Sequence, residues 1–126
     1  MKHRNTRQLT AIREAIESAG RPLSIEEIQE IAGRTVESLG QRTVYRGVRR
    51  LEEDGFIARV SAHGGGERYE LAAVAAHHHH HFHCTSCDRF YDVDGCPGGL
   101  QNLLPDGFVL KNHELTLSGL CPDCTD

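Results

Sequence analysis

The 126-residue chain contains no apolar run approaching the roughly 18 residues that a bilayer-spanning helix needs, which excludes a transmembrane helix. No apolar stretch follows the basic start Met1-Lys2-His3-Arg4-Asn5-Thr6-Arg7, so a secretory signal is not expected and the expected compartment is the cytoplasm. Cysteine is missing from the first 83 residues. There is no long internal repeat, and low complexity is confined to one histidine run. With 38% hydrophobic and 25% charged residues, the chain also lacks the make-up of a disordered protein. The length suits one ordinary domain or two very small ones.

What is present is divided between two halves. Residues 1–60 carry eleven Lys/Arg against nine Asp/Glu, and residues 61–126 carry three against nine. A polyanionic partner therefore fits the first half better than the second. All five cysteines (Cys84, Cys87, Cys96, Cys121 and Cys124) lie in the last 50 residues, with seven of the nine histidines, at 77–81, 83 and 113. In a reducing compartment, paired cysteines read as metal ligands before disulfides.

In the first half, Leu9, Ile12, Ile16 and Ala19 recur at helical spacing and predict an amphipathic helix over about 6–19, stopped by Gly20 and Pro22. Ser24-Ile25-Glu26-Glu27 is a capping box opening a second helix, whose buried face is Ile25, Ile28 and Ala32 and whose end is Gly33. A third helix is expected over about 42–54, closed by Gly55. At about 100° per residue, Val44, Val48 and Leu51 fall on one side, with Arg42, Tyr45, Arg46 and Arg49 opposite. Phe56–Val60, a glycine turn at His63–Gly66, and Glu67–Leu71 then read as a hairpin. Three helices and a hairpin make a winged helix-turn-helix. The basic stripe faces away from the core, as a major-groove helix requires, while Arg50 and Arg59 suit phosphate contacts. The competing explanation is a solvated charged helix.

Val74-Ala75-Ala76 reads as a hinge, giving units over 1–73 and 77–126. Beyond it, His77–Cys84, Arg89–Val93 and Phe108–Leu117 read as strands and Pro97–Leu104 as a short helix. Cys84-Thr85-Ser86-Cys87 and Cys121-Pro122-Asp123-Cys124 are C-x2-C knuckles, and two such pairs meeting in space make the tetrahedral sulfur site that Zn2+ favours. Redox dithiols or disulfides are the alternatives. A closed four-sulfur site is structural, and in about 50 residues it would supply much of the stability. The run His77-His78-His79-His80-His81-Phe82-His83 leads into the first knuckle. On a strand, His77, His79, His81 and His83 point one way and His78 and His80 the other, so the run can serve two metal sites back to back. A solvated polar strand or a tag is the bland alternative. Glu70, Asp92 and His113 are candidate remote ligands, and Cys96 is either a small semi-buried side chain or a thiolate ligand to a second zinc. A hydrolytic zinc enzyme of the deaminase type wants His-x-Glu with Pro-Cys-x-x-Cys. Here the order is His113-Glu114 and Cys121-Pro122, so no enzyme is expected.

Three segments together resemble the ferric uptake regulator (Fur) family of bacterial metal-dependent repressors. The first is Arg42-Thr43-Val44-Tyr45-Arg46 with Leu51 and Asp54-Gly55-Phe56. The second is Arg68-Tyr69-Glu70-Leu71 followed by His78–Cys87. The third is Asn112-His113-Glu114-Leu115 with Gly119-Leu120-Cys121-Pro122-Asp123-Cys124. The resemblance implies an α+β chain: a winged helix followed by a small α/β dimerisation domain with a four-cysteine zinc site. It implies a homodimer that binds a palindromic DNA operator through Arg42, Thr43, Tyr45, Arg46, Arg49, Arg50 and Arg59 and represses metal-homeostasis genes, with no membrane and no small-molecule substrate as partner. It further implies structural Zn2+ on Cys84, Cys87, Cys121 and Cys124, and a regulatory ion (Zn2+ or Fe2+, or else Mn2+) on Glu70, His79 and His81. A further site would draw on His78, His80, Asp92 or His113. His63, Asp92 or Cys96 are candidates for the fourth regulatory ligand, because Pro22 stands where iron sensors often carry one. The alternatives are a peroxide-sensing member of the family and a zinc-knuckle adaptor for protein contacts.

Overall fold

Apolar side chains at helical spacing build the first half. In the computed structural model of the chain, which describes residues 2–62, 66–76 and 80–125, helix α1 spans Lys2–Ala19 and buries Ala11, Ile12, Ala15 and Ile16. It begins four residues earlier than the periodicity predicts, so Lys2, His3 and Arg4 belong to its first turn. Gly20 ends it in the left-handed region, at φ +69°. Helix α2, Ile25–Ala32, opens on the expected box: the Glu27 amide donates to Ser24 Oγ at 3.2 Å, and the Ser24 amide donates to Glu27 Oε1 at 3.0 Å. Helix α3, Gln41–Glu53, buries Val44, Gly47, Val48 and Leu51 against α1 and α2. Gly47 lets α1 and α3 approach, since a Cβ there would lie 2.6 Å from Ile12 Cδ1.

Strands β1 (Ile57–Ala62) and β2 (Gly66–Leu71) pair antiparallel, with Ile57 opposite Leu71. Reciprocal amide bonds between Leu23 and Tyr69, at 2.9 and 2.8 Å, stitch the α1–α2 link to β2. The result is a winged helix around one apolar cluster running from Ala11 to Tyr69.

The predicted hinge is mostly a helical turn, α4 (Ala72–Ala75). Alanine favours helix, and the Ala72 amide is tied to the Phe56 carbonyl at 2.9 Å. Strands β3 (His80–Cys84), β4 (Phe90–Val93) and β5 (Thr116–Gly119) form a sheet in the order β4-β3-β5, antiparallel and then parallel. Two expectations fail here. The helix predicted over Pro97–Leu104 is a single 3-10 turn, Leu100–Leu103, because Gly98 and Gly99 precede it and Gly99 sits at φ +79°. The strand predicted over Phe108–Leu117 exists only from Thr116. Alternation alone does not make a strand, and among the described residues nothing pairs with Phe108–Lys111 as a ladder. Among the described residues no helix is long and apolar enough to cross a membrane.

Candidate metal centres and nucleic-acid face

The two knuckles meet because β3 ends at Cys84 and β5 runs parallel beside it toward Cys121. The Sγ atoms of Cys84, Cys87, Cys121 and Cys124 lie within 4.8 Å of one another, and Cys87 and Cys121 are 3.8 Å apart. A tetrahedron with Zn–S bonds of about 2.3 Å has edges of about 3.8 Å, so the spacing fits zinc. Among the described residues no disulfide joins these cysteines. Amides of Cys87 and Cys121 point at Cys84 Sγ from 3.5 and 3.4 Å and lower its pKa to about 6. The Tyr91 hydroxyl lowers Cys121. Cys124 is pushed up to about 12: the Ser86 hydroxyl acts against this, but the Cys121 and Cys84 sulfurs beside it prevail. Four sulfurs this close cannot all be thiolates without a cation among them, and a dication supplies that charge.

A second cluster joins three strands. Glu70 on β2, His81 on β3 and Asp92 on β4 bring one ligand atom each within 4.8 Å of the others. His81 Nε2 is 3.3 Å from Glu70 Oε1 and 3.3 Å from Asp92 Oδ1. The β3–β4 register sets His81 opposite Asp92. The Asp92 and Glu70 carboxylates raise the His81 pKa to about 9, so in the metal-free protein a proton stands where an ion would. Glu70 is buried and His81 and Asp92 are partly covered. One nitrogen and two carboxylates form a donor set that suits Fe2+, Mn2+ or Zn2+.

The opposite face of β3 carries the third cluster: His80, Cys96 and His113. Cys96 Sγ lies 2.9 Å from His113 Nε2, and the His80 and His113 rings are 5.1 Å apart. The Leu115 amide donates to His80 Nδ1 at 3.2 Å, which fixes the ring and sets its proton on Nε2; ligation would have to displace one or the other. The sequence left two alternatives open for each of Cys96 and Asp92. Cys96 lies with His80 and His113 rather than with the regulatory group, and Asp92 lies with Glu70 and His81 rather than with the further group. The β3 pleat sends alternate residues to opposite faces, and the 81↔92 register decides which carboxylate each face meets. His63, His78 and His79 lie outside the described residues.

On α3, Arg42, Tyr45, Arg46 and Arg49 line an open groove of about 620 Å³ that the hairpin closes with Arg59, Glu67 and Tyr69. Tyr45 is 52% exposed and none of the four belongs to the core. Thr43 and Arg50 lie elsewhere, beside Gln8 and Leu9 of α1. Arg59 is held by Glu52 at 3.1 Å and Glu67 at 2.9 Å, so its charge is partly spent within the chain.

One contact escaped the sequence reading. Arg68 Nη2 donates to the Asp88 carbonyl at 3.0 Å and to Asp88 Oδ2 at 2.9 Å, joining the wing to the first knuckle. The available signal was a charged residue alternating with Glu70 beside the core residue Tyr69.

With this geometry in view, the comparisons with known proteins are decisive. The ferric uptake regulator family model matches residues 1–118. The chain belongs to the ferric uptake regulator family. It is 31% identical over 107 residues to a ferric uptake regulation protein of Synechocystis sp., covering 82% of this chain and 65% of that one. It is 30% identical over 111 residues to the Legionella pneumophila ferric uptake regulation protein, covering 86% and 80%. A solved zinc-bound manganese uptake regulator superposes with a TM-score of 0.75 at 26% identity, over 90% of this chain and 87% of that one. The chain has the α+β fold of the solved family structures and spans about two thirds or less of the length of the Synechocystis and Campylobacter jejuni ferric uptake regulation proteins it matches, 65% and 57%.

Proposed function

We propose that the chain is a DNA-binding repressor that acts as a homodimer and senses its ion at Glu70, His81 and Asp92, with His79 as a further ligand. The observation that carries the reading is the convergence of those three side chains from β2, β3 and β4, that is, from the wing and from the sheet of the zinc knuckles. The units are residues 1–73, which read DNA, and residues 77–126, which bind metal and dimerise. Cys84, Cys87, Cys121 and Cys124 hold structural Zn2+. The exposed apolar side chains Leu103, Phe108, Val109 and Leu117 support a second copy as the partner of this half.

A divalent ion at the junction supplies a cross-link between wing and sheet. Glu70 carries β2, and with it α3, toward β3. His81 would give up the Nε2 proton that the Glu70 and Asp92 carboxylates now share, and those three side chains would hold the ion in its place. Arg42, Tyr45, Arg46 and Arg49 are thereby held at one angle, and in a two-fold dimer only one angle spaces two recognition helices by a helical turn of DNA or a multiple of it. The ion favours that shape by its differential affinity for it. Uptake genes would then be silent when metal is plentiful. The carboxylate-rich junction supports Fe2+, Mn2+ or Zn2+, and the thiolate of Cys96 favours Zn2+ at the third cluster.

The test is the double variant His79→Ala, His81→Ala. It is expected to keep the zinc on its four knuckle cysteines and its helical content, and to lose metal-stimulated binding to a duplex selected from a random pool by the wild-type protein. A normal metal response from that variant would show that the junction is misassigned. Failure to select any duplex would favour a protein-contact adaptor.

A further inference from the structure

The ion at the junction can hold β2 at a point, but a point does not set an angle. β2 needs a second attachment to the sheet, and the structure has one. Arg68 and Glu70 are two residues apart on β2, so their side chains leave the same face, about 7 Å apart. Glu70 reaches His81; Arg68 reaches Asp88, the residue after the last cysteine of the first knuckle. The Arg68 side chain is 5% exposed although it carries a full charge, and its guanidinium lies 4.8 Å from the Phe90 ring centroid. Asp88 adopts φ +67°, a conformation that brings both its carbonyl and its carboxylate to one guanidinium nitrogen. That backbone belongs to the knuckle itself: the Asp88 amide donates to the Cys84 carbonyl at 2.9 Å, and the Cys84 amide to the Arg89 carbonyl at 3.0 Å. His83 Nε2 contacts the other carboxylate oxygen of Asp88. Among the described residues, Arg89 also approaches Glu27 of helix α2, at 4.0 Å.

We propose that Arg68 is a positioning residue for the metal response: it pins β2 to the first cysteine knuckle through Asp88, so that capture of an ion by Glu70, His81 and Asp92 fixes an angle rather than merely tethering the wing. The proposal rests on the junction reading above. It assigns the four-cysteine site a second task, since the knuckle that zinc orders is the seat on which the winged helix turns. Arginine suits that task better than lysine, because one planar fork serves a carbonyl, a carboxylate and a ring face together.

The experiment uses the full chain with its structural zinc, titrated with Zn2+ in a metal buffer, and a duplex selected from a random pool by the wild-type protein. Arg68→Ala is expected to keep its zinc on the four cysteines and to bind Zn2+ at the junction within a few-fold of wild type. The ratio of duplex affinities with and without Zn2+ should fall at least tenfold. Asp88→Asn tolerates the same backbone angle and removes only the charge, so it decides the matter if Arg68→Ala fails to fold; its ratio should fall about threefold, and Arg68→Lys should lie between. A purely structural role would lower both affinities and leave the ratio intact, and that result in Arg68→Ala, or an unchanged ratio in a folded Asp88→Asn, overturns the proposal. A wild-type protein with no Zn2+-dependence overturns the junction reading instead, and the pin with it.

Discussion

The two halves of the molecule are held together by different physics. Residues 11–69 share one apolar cluster of fifteen buried side chains, from Ala11 to Tyr69. In the second half the buried apolar side chains among the described residues are Phe90, Cys84 and Cys121, and two of those three are metal-ligand sulfurs. Burial at about 25 cal/mol per Å2 stabilises the first half without help. The second has too little apolar surface for that and must take its stability from the coordination of an ion. The winged-helix half is therefore expected to stay folded in any metal state, while the second half is expected to depend on the ion that its four cysteines would hold.

The sharpest way to break that contrast is to remove the structural ion. Stripping it with a strong chelator, or replacing Cys121 by Ser, should abolish hydrogen-exchange protection in β3, β4 and β5 while leaving α1–α3 protected. Coordinated zinc of this type contributes on the order of 10 kcal/mol of folding energy, and exchange mass spectrometry reads the loss segment by segment. Equal protection in both halves after zinc removal would sink the comparison. The converse variant, Ile12→Ala, empties the centre of the apolar cluster, where Ile12 is fully buried. It should cost about 2–5 kcal/mol in chemical denaturation and leave the zinc stoichiometry unchanged.

A pH series sharpens the contrast at the junction. The carboxylates of Asp92 and Glu70 hold the His81 pKa up, at about 9. The charged His81 pair therefore stabilises the metal-free fold fully below the ordinary histidine pKa of about 6.5, and that contribution disappears as pH rises through about 9. The ion competes with the same proton, so the junction metal affinity should rise about tenfold per pH unit from neutrality and level off near pH 9. Calorimetric titration of the zinc-loaded protein measures it, and a flat profile from pH 7 to 9 would contradict the geometry. The smallest effect belongs to the first half. Gly47→Ala gains helix propensity but sets a methyl 2.6 Å from Ile12 Cδ1, for a net loss of about 1 kcal/mol seen as a lower thermal midpoint.

How legible each half was follows from the same physics. Helices α1–α3, the Ser24–Glu27 box and the basic face of α3 follow from periodicity and near-neighbour chemistry, which act within a few residues. Pro97–Leu104 and Phe108–Leu117 misled because alternation and spacing say nothing of whether a strand will find a partner. Arg68 passed without a role because a charged residue on a strand ordinarily faces water, and only the fold shows it buried against Phe90.

By itself the amino-acid order determined the local objects: three helices with their apolar sides, two cysteine knuckles, and a histidine run whose members must alternate between two faces. Tertiary structure alone decided which face meets which ligands. Asp92 lies opposite His81, Cys96 lies beside His113, and Arg68 seats on Asp88, twenty residues away along the chain. Each pairing depends on strand register, where a slip of one residue would exchange the two faces, and register is set by long-range contacts that no local pattern encodes.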